Sequence, residues 1–283
     1  MKNFFIVARD AEEENQKLTK EIVDYICEKG GTCGHGINPD DKSEDQKLEV
    51  PEGTECIFTI GGDGTMIRAA QNTFGRNIPL IGVNRGHLGY LCDLNADSVF
   101  EAIDKLMADD YEVEDRMMLS GHIIDKDGNR CPGIEALNDI VLCSSHGLRV
   151  MHVTVYVNGA YLYNYNCDGI IFSTPTGSTA YNLSANGPIV NPNTNVILLT
   201  PINPHTLNAR SIVLDPGDEL TVEVEGRKPD EIEFAEVSFD GNHRRVLAEG
   251  EKLLVHRAKE KTKMLRLTDA SFLERIRTKL QAN

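Results

Sequence analysis

The stretch TECIFTIGGDGTMIRAAQ, residues 54–71, decides how the first third of the chain folds. It opens on the apolar run CIFTI, breaks at Gly61-Gly62-Asp63-Gly64-Thr65, and resumes as MIRAAQ. A continuous apolar run of this length reads as a strand covered on both faces, as in parallel sheets. Glycines at the exit of such a strand permit positive φ and let a ligand approach the backbone. The helix that follows directs its free N–H groups at the turn, which makes an anion site suited to phosphate. Asp63 is the odd member. Beside a phosphate its carboxylate is repelled, unless it binds a metal ion or takes a proton from an attacking hydroxyl. The turn therefore points to phosphoryl transfer. The plain alternative is a tight strand–helix connection with Asp63 as a helix cap. Neither the dinucleotide pattern G-x-G-x-x-G nor a P-loop ending G-K-[ST] is met.

Outward from this stretch, strands and helices alternate. FFIVAR (residues 4–9) and IPLIGVN (78–84) read as buried strands. Leu18, Ile22, Val23, Tyr25 and Ile26 fall at helical spacing, and Gly30-Gly31 stop that helix. DSVFEAIDKLMADD (97–110) is a second amphipathic helix. Cys33-Gly34-His35 reads as a glycine-rich surface loop, and DDKSEDQ (40–46) as a polar one. GVNRGHLGYL (82–91) is a glycine-rich loop after a strand, read either as lying at the carboxyl ends of the parallel strands, where ligands bind in such sheets, or as a plain loop. This alternation implies a parallel sheet with right-handed crossovers.

Near Tyr111 the period changes to about two, with turn signals at Asn158-Gly159, at residues 215–218 and at Asp240-Gly241-Asn242. Many short strands so punctuated indicate an antiparallel β domain. The expected organisation is an α/β domain over residues 1–112, a β-rich domain over 113–257, and a segment over 258–283 that packs back on the first. GRKPDEIEF (226–234) and AKEKTKMLR (258–266) read as solvated charge runs, and DASFLERIRTKLQ (269–281) as a short amphipathic helix.

Bulk properties narrow the partners. A length of 283 residues favours two domains. With 29 Lys and Arg against 44 Asp and Glu, the net charge of −15 disfavours nucleic acid and anionic lipid. No apolar run approaches the ~20 residues of a membrane span, and MKNFFIVARD reads as a buried strand rather than a signal peptide. Seven scattered cysteines without a C-x-x-C pair fit a reducing, cytoplasmic setting.

A second constellation is NCDGIIFSTPTGSTAYNLSANGPIVNP, residues 166–192. A strand leads into Thr174-Pro175-Thr176-Gly177, and a helix is expected to start near Ser178-Thr179 with hydroxyls crowded at its N-terminus. Tyr181 suits stacking on a base or ribose, and Asp168 suits hydrogen bonds from an amine or sugar hydroxyl. The plain alternative is a capped helix with Tyr181 in the core. Asn138-Asp139, at the head of a β run, is read either as a turn former or as a ligand contact.

Taken in order, GGDGT, GVNRGHLGYL, ALND (136–139), DGIIFSTPTGSTAYNLSANGPIV (168–190) and TPINPHTLNARSIVL (200–214) closely resemble the NAD kinases, in particular the bacterial type. The first motif is shared with lipid kinases and, in variant form, phosphofructokinases; STPTGSTAY is far more specific. The resemblance implies the two-domain NAD kinase and diacylglycerol kinase-like fold, with NAD bound between the domains. It implies transfer of the ATP γ-phosphate, with Mg²⁺ or another divalent cation, to the adenosine-ribose 2′-hydroxyl of NAD. It also implies a homodimer or homotetramer. By the same resemblance Asp63 is the catalytic base or metal-associated carboxylate, and Gly61, Gly62, Gly64 and Thr65 form the phosphate loop. Asp63, Gly64, Arg68, Asn138, Asp139, Asp168, Thr176, Thr179, Ala180, Tyr181, Ser184 and Asn203 are the implied NAD contacts. No side chain is singled out as a dedicated metal ligand. The chain departs from the family in having Asp139 where Glu is commoner, Asn203 where Cys is frequent and Asn186 where Gly is common. Two rivals share features: a lipid or sugar kinase with the same turn, which the acidic charge disfavours, and an NAD(P)-sensing module without chemistry, which Asp63 disfavours.

Overall fold

The computed structural model describes residues 1–9, 12–38, 48–84, 89–92, 94–145, 150–206, 208–225, 235–267 and 272–281. The chain divides into two compact units, Met1–Asp115 with Thr262–Asn283, and Arg116–Lys261. The expected polar loop at 40–46, part of the loop at 82–91 and the charge run at 226–234 lie outside the described residues.

The first unit begins β1 (Asn3–Ala8), α1 (Glu13–Glu28), β2 (Thr32–Ile37), β3 (Cys56–Ile60), α2 (Asp63–Asn72), β4 (Leu80–Asn84), β5 (Leu94–Asn95), α3 (Val99–Met107) and β6 (Glu112–Arg116). β1 pairs in parallel with β2 and β3, and β3 with β4. On one sheet face Phe4, Ile6, Phe58, Ile60, Ile81 and Val83 pack against Ile22 and Ile26 of α1 and Ile103 and Leu106 of α3. On the other face lies α2, with Met66, Ala69 and Ala70 buried and Thr59 Oγ1 donating to Met66 Sδ at 3.3 Å. Helices on both faces are why these strands read as unbroken apolar runs. α1 stops where Gly30 turns to φ 82°, and Gly31 N–H caps the Ile26 carbonyl at 2.9 Å.

Residues 32–37 form an edge strand, not the surface loop suggested by their glycines. The Phe5 ring takes the space side chains would need: a Cβ at Gly34 or Gly36 would lie 3.0 or 3.3 Å from it. Burial pushes the Cys33 thiol up to about 12, which removes it as a ready ligand or nucleophile.

The second unit contains β7 (Leu119–Ile124), β8 (Ile134–Ala136), β9 (Asp139–Ser144), β10 (Met151–Val157), β11 (Ala160–Cys167), β12 (Gly169–Ser173), a 3₁₀ turn at Thr176–Thr179, α4 (Tyr181–Ser184), β13 (Ile197–Ile202), β14 (Ile212–Leu214), β15 (Leu220–Glu225), β16 (Ala235–Phe239), β17 (His243–Leu247) and β18 (Lys252–Arg257). These strands make two six-stranded sheets, ordered β11-β10-β15-β18-β7-β8 and β14-β13-β12-β9-β16-β17. Leu119, Val153, Val222 and Leu253 from one sheet share a core with Ile140, Phe172, Leu199 and Phe239 from the other, so the sheets face each other as a sandwich. Each such side chain stabilises by about 1.5–3 kcal/mol on burial, and this apolar layer is what the period-two pattern encodes. The chain changes sheets at Asp168, between β11 and β12. Asn158-Gly159, with φ of 51° and 78°, makes a two-residue hairpin whose twist suits its strands.

The chain then returns to the first unit with β19 (Thr262–Arg266) and α5 (Phe272–Gln281). The parallel sheet is ordered β2-β1-β3-β4-β19-β6, with β5 also on β4. Residues 262–266 are thus a strand rather than a solvated charge run. Met264 and Leu265, each 4% exposed, are the buried pair hidden among lysines, and Met264 registers with Leu80 of β4. The unit boundaries fall at 115/116 and 261/262, where the change of period suggested 112/113 and 257/258.

Candidate active site

In the first unit, β3 ends at Ile60 and α2 begins at Asp63, so Gly61 and Gly62 form the whole connection. Gly61 has φ 152°, donates to the Val83 carbonyl at 3.0 Å, and has no room for a Cβ against Thr65 Oγ1. The fold itself requires that glycine. Gly62 and Gly64 differ: neither has positive φ, and a Cβ on either would meet nothing within 4 Å. Gly64, inside the first helical turn, costs about 0.5–1 kcal/mol relative to alanine. Among the described residues no packing contact requires it.

Asp63 is not a cap. Gly62 occupies the cap position, and no side-chain capping bond forms. The Asp63 carboxylate instead accepts backbone N–H groups from Tyr90 at 2.8 Å, Leu91 at 3.2 Å and Cys92 at 3.3 Å. A carboxylate has about four acceptor positions, so one remains after the loop has fixed its orientation. The approach is so close that a Cβ at Gly89 would collide with the carboxylate, and one at Gly82 would lie 2.6 Å from Cys92 Sγ. These two glycines and the amides of residues 90–92 complete the Asp63 site. The sequence showed the glycines but not the amides that hold Asp63, 27–29 positions from it. Thr65 is buried, with its carbonyl accepting Asn38 Nδ2 at 3.2 Å, and Arg68 is half-buried one turn beyond Gly64. Gly61, Gly62, Asp63, Gly64, Thr65 and Arg68 thus share one strand–turn–helix.

The other predicted residues lie in the second unit. Asp168, at the crossover between sheets, accepts Asn203 Nδ2 at 3.0 Å, and His205 Nε2 stands 4.0 Å from its other oxygen. Asn203 holds φ 44°, a left-handed conformation asparagine tolerates better than most residues. After β12 the loop is bonded onto Leu137-Asn138. Thr174 Oγ1 donates to the Leu137 carbonyl at 2.6 Å and accepts Gly177 N–H at 3.0 Å, while Thr174 N–H donates to the Asn138 carbonyl at 2.9 Å. Gly177 packs so tightly on the Asn138 backbone that a Cβ has no room.

The expected helix near Ser178-Thr179 is a 3₁₀ turn followed, after a break at Ala180, by the four residues of α4. Its hydroxyls do not crowd a helix end. Ser178 Oγ exchanges hydrogen bonds with Val190 N–H and C=O at 3.0 and 3.1 Å, and Thr179 Oγ1 donates to the Thr176 carbonyl at 3.4 Å. Thr176 Oγ1 is buried without a partner, which costs about 1–3 kcal/mol and suits a ligand atom. Tyr181 is 46% exposed rather than core, and Ser184 is exposed at the end of α4. Burial first, then the charges of Cys143, Asp139 and Asp168, push the Tyr181 phenol up.

Asp139 is 5% exposed, and burial followed by the nearby Asp240 pushes its carboxyl up to about 7. Asp240 accepts the N–H groups of Leu137 and Asn138 at 2.7 Å and of Asp139 at 3.0 Å. Burial outweighs those bonds, and its carboxyl rises to about 6. The sequence offered Asp240 only as part of a turn. Asn138, Asp139 and Thr176 thus lie at the Ser173 end of β12, with Asp240 behind the first two, while Asp168 and Asn203 lie at its Gly169 end; Thr179, Ala180, Tyr181 and Ser184 follow on the 3₁₀ turn and α4, which packs on β12. Among the described residues no three His, Cys, Asp or Glu side chains are arranged to hold a metal ion.

Residues 35–111 match the model of the ATP-NAD kinase N-terminal domain, and residues 137–267 that of the C-terminal domain. The chain is 46% identical to an NAD kinase of Agathobacter rectalis, over 99% of each chain. It is 38% identical to an NAD kinase of Lachnospira eligens, over 99% of this chain and 100% of the relative. Among solved structures, yeast NADH kinase complexed with NADH aligns with a TM-score of 0.87 at 22% identity, over 100% of this chain and 88% of the other. An NAD kinase from Archaeoglobus fulgidus in complex with ATP aligns at 0.77 and 22%, over 99% of each chain. At that identity the structural likeness shows a shared fold, whereas the domain models and the relatives fix descent: the chain belongs to the NAD kinase family.

Proposed function

We propose that the chain transfers the γ-phosphoryl group of ATP to the 2′-hydroxyl of the adenosine ribose of NAD, giving NADP. The observation that carries this reading is Asp63. It sits on a glycine turn with open faces, makes no capping bond, and is held by three amides with one acceptor position to spare.

In this reading Gly61, Gly62, Gly64 and Thr65 line the path of the phosphates, where a side chain on Gly62 or Gly64 would intrude. Asp63 accepts the proton of the ribose hydroxyl late in the transfer. A hydroxyl is a poor nucleophile, so fixed in-line placement supplies most of the rate and the base comparatively little. Asp139, Asp168, Thr176 and Tyr181 hold the dinucleotide, with the unpartnered Thr176 hydroxyl and the exposed Tyr181 ring as contacts. Thr179, Ala180, Ser184, Asn138, Asn203 and Arg68 complete the binding set. A divalent cation such as Mg²⁺, were it bound with the phosphates, would have Asp63 as the residue of the turn able to hold it, and would neutralise charge on the transferring group. We further read the enzyme as a cytoplasmic homodimer or homotetramer that acts on no nucleic acid or membrane. Among the described residues no helix is long and apolar enough to cross a membrane.

The test is to incubate the protein with Mg²⁺, ATP and, in separate arms, NAD, diacylglycerol or fructose 6-phosphate. An NADP-specific dehydrogenase reads the first arm. NADP formation with no product in the other arms is expected. No NADP, or phosphorylation of lipid or sugar, would overturn the proposal.

A further inference from the structure

We infer that Asp240 is a positioning residue for the Asn138-Asp139 pair: its carboxylate gathers three successive amides and so fixes where those two side chains point. This rests on the NAD-binding role proposed for the pair. The geometry is a two-sided clasp. From one side Asp240 accepts the N–H groups of Leu137, Asn138 and Asp139, and its own N–H returns a bond to the Asp139 carbonyl at 2.9 Å. From the other side Thr174 takes the Leu137 carbonyl with Oγ1 and the Asn138 carbonyl with its N–H. Every backbone amide of residues 137–139 is therefore spent on one carboxylate, and two of the three carbonyls on one threonine.

The turn that carries Asp240 does not explain the carboxylate. Residue 240 has φ 52° and is followed by Gly241 at φ 73°, a conformation glycine or asparagine serves as well. What aspartate adds is an acceptor for three charge-assisted hydrogen bonds across more than a hundred positions of sequence. The Asp63 site uses the same device, one carboxylate holding three successive amides of a loop. There the carboxylate is the reacting group. Here it stands behind two groups that face the ligand, and the register of the clasp is passed to them.

The test compares the wild-type chain with Asp240→Asn, which keeps size and turn but sets an amide N–H₂ against at least one of the three donors and removes the charge from the bonds that remain. NAD binding is read by titration calorimetry, and kcat and both KM values by the coupled assay. Asp240→Asn should raise Kd and KM for NAD by roughly tenfold or more, leave KM for ATP within about twofold, and leave the circular dichroism unchanged. Asp240→Glu should recover part of the loss. If Asp240→Asn binds NAD like the wild type, or loses only kcat through less folded protein, the positioning role is overturned while the kinase reading stands. If the wild-type chain itself binds no NAD, both fall. Should Asp240→Asn not fold, nuclear magnetic resonance decides on Asp139→Asn, where Asp240 is the carboxylate left in the clasp. There the amide protons of residues 137, 138 and 139 should shift together with a single midpoint on pH titration. Independent shifts would overturn the inference.

Discussion

Gly62 and Gly64 are glycines that packing among the described residues does not require, and this separates them from Gly61 and Gly89, which it does. Gly64→Ala should therefore leave the fold intact, gaining about 0.5–1 kcal/mol in urea unfolding, while raising KM for ATP or lowering kcat. A stable variant with unchanged kinetics would remove the phosphate role of that position. Gly89→Ala should do the reverse, costing stability and turnover together, because its methyl group displaces the Asp63 carboxylate. Asp139 supplies a pH signature. Its carboxyl ionises at about 7 in the folded chain against an ordinary value of 3.8. The protonated group favours the folded state fully below the ordinary value, and that contribution is lost as pH rises to the folded one. Asp139→Asn should thus gain on the wild type in urea midpoint between about pH 4 and about pH 7, with a constant difference above. Parallel stability curves across that window would show that Asp139 is not held protonated. At this scale the sequence revealed Asp63 as out of place beside phosphate, but not the amides of residues 90–92 that hold it. Nor did it reveal Asp240, since a turn motif carries no mark of what its side chain will reach.

Among the elements, those written in local periodicity were legible and those made by distant pairing were not. β1, β3, β4 and the helices α1 and α3 follow from apolar runs and helical spacing, and the hairpins of the second unit follow from alternation and turn residues. β2 was hidden because its glycines, which suggest a loop, make room for the Phe5 ring. β19 was hidden because two apolar residues among lysines carry little pattern, and its neighbours β4 and β6 lie far back in the chain. That placement makes it essential. A chain ending at Lys261 loses the strand between β4 and β6, and should yield insoluble or inactive protein even though the entire second unit is present. Soluble, active protein from that truncation would contradict the sheet order. The loop at residues 174–177 is likewise held from outside itself. Thr174→Val keeps shape and removes both Oγ1 bonds, at a cost of about 1–3 kcal/mol with a Leu137 carbonyl left unpaired. The melting temperature should fall and KM for NAD should rise; a change in neither would show the loop is held by packing alone.

Across the whole molecule, the sandwich Arg116–Lys261 is an insertion within the α/β unit, which closes only when residues 262–283 return to it. Each unit has its own apolar core. The proposed chemistry is divided in the same way: the glycine turn and Asp63 belong to one unit, and the residues proposed to hold NAD belong mostly to the other. A net charge of −15 leaves anionic substrates to be drawn by local groups rather than by the field of the whole surface. The division allows binding and turnover to be separated by one substitution. Asp63→Asn, assayed for NADP formation beside calorimetric titration with NAD, should keep NAD affinity within about threefold while kcat falls by about a hundredfold or more. An Asp63→Asn chain that turns over NAD at the wild-type rate would contradict the assignment of phosphoryl transfer to this carboxylate.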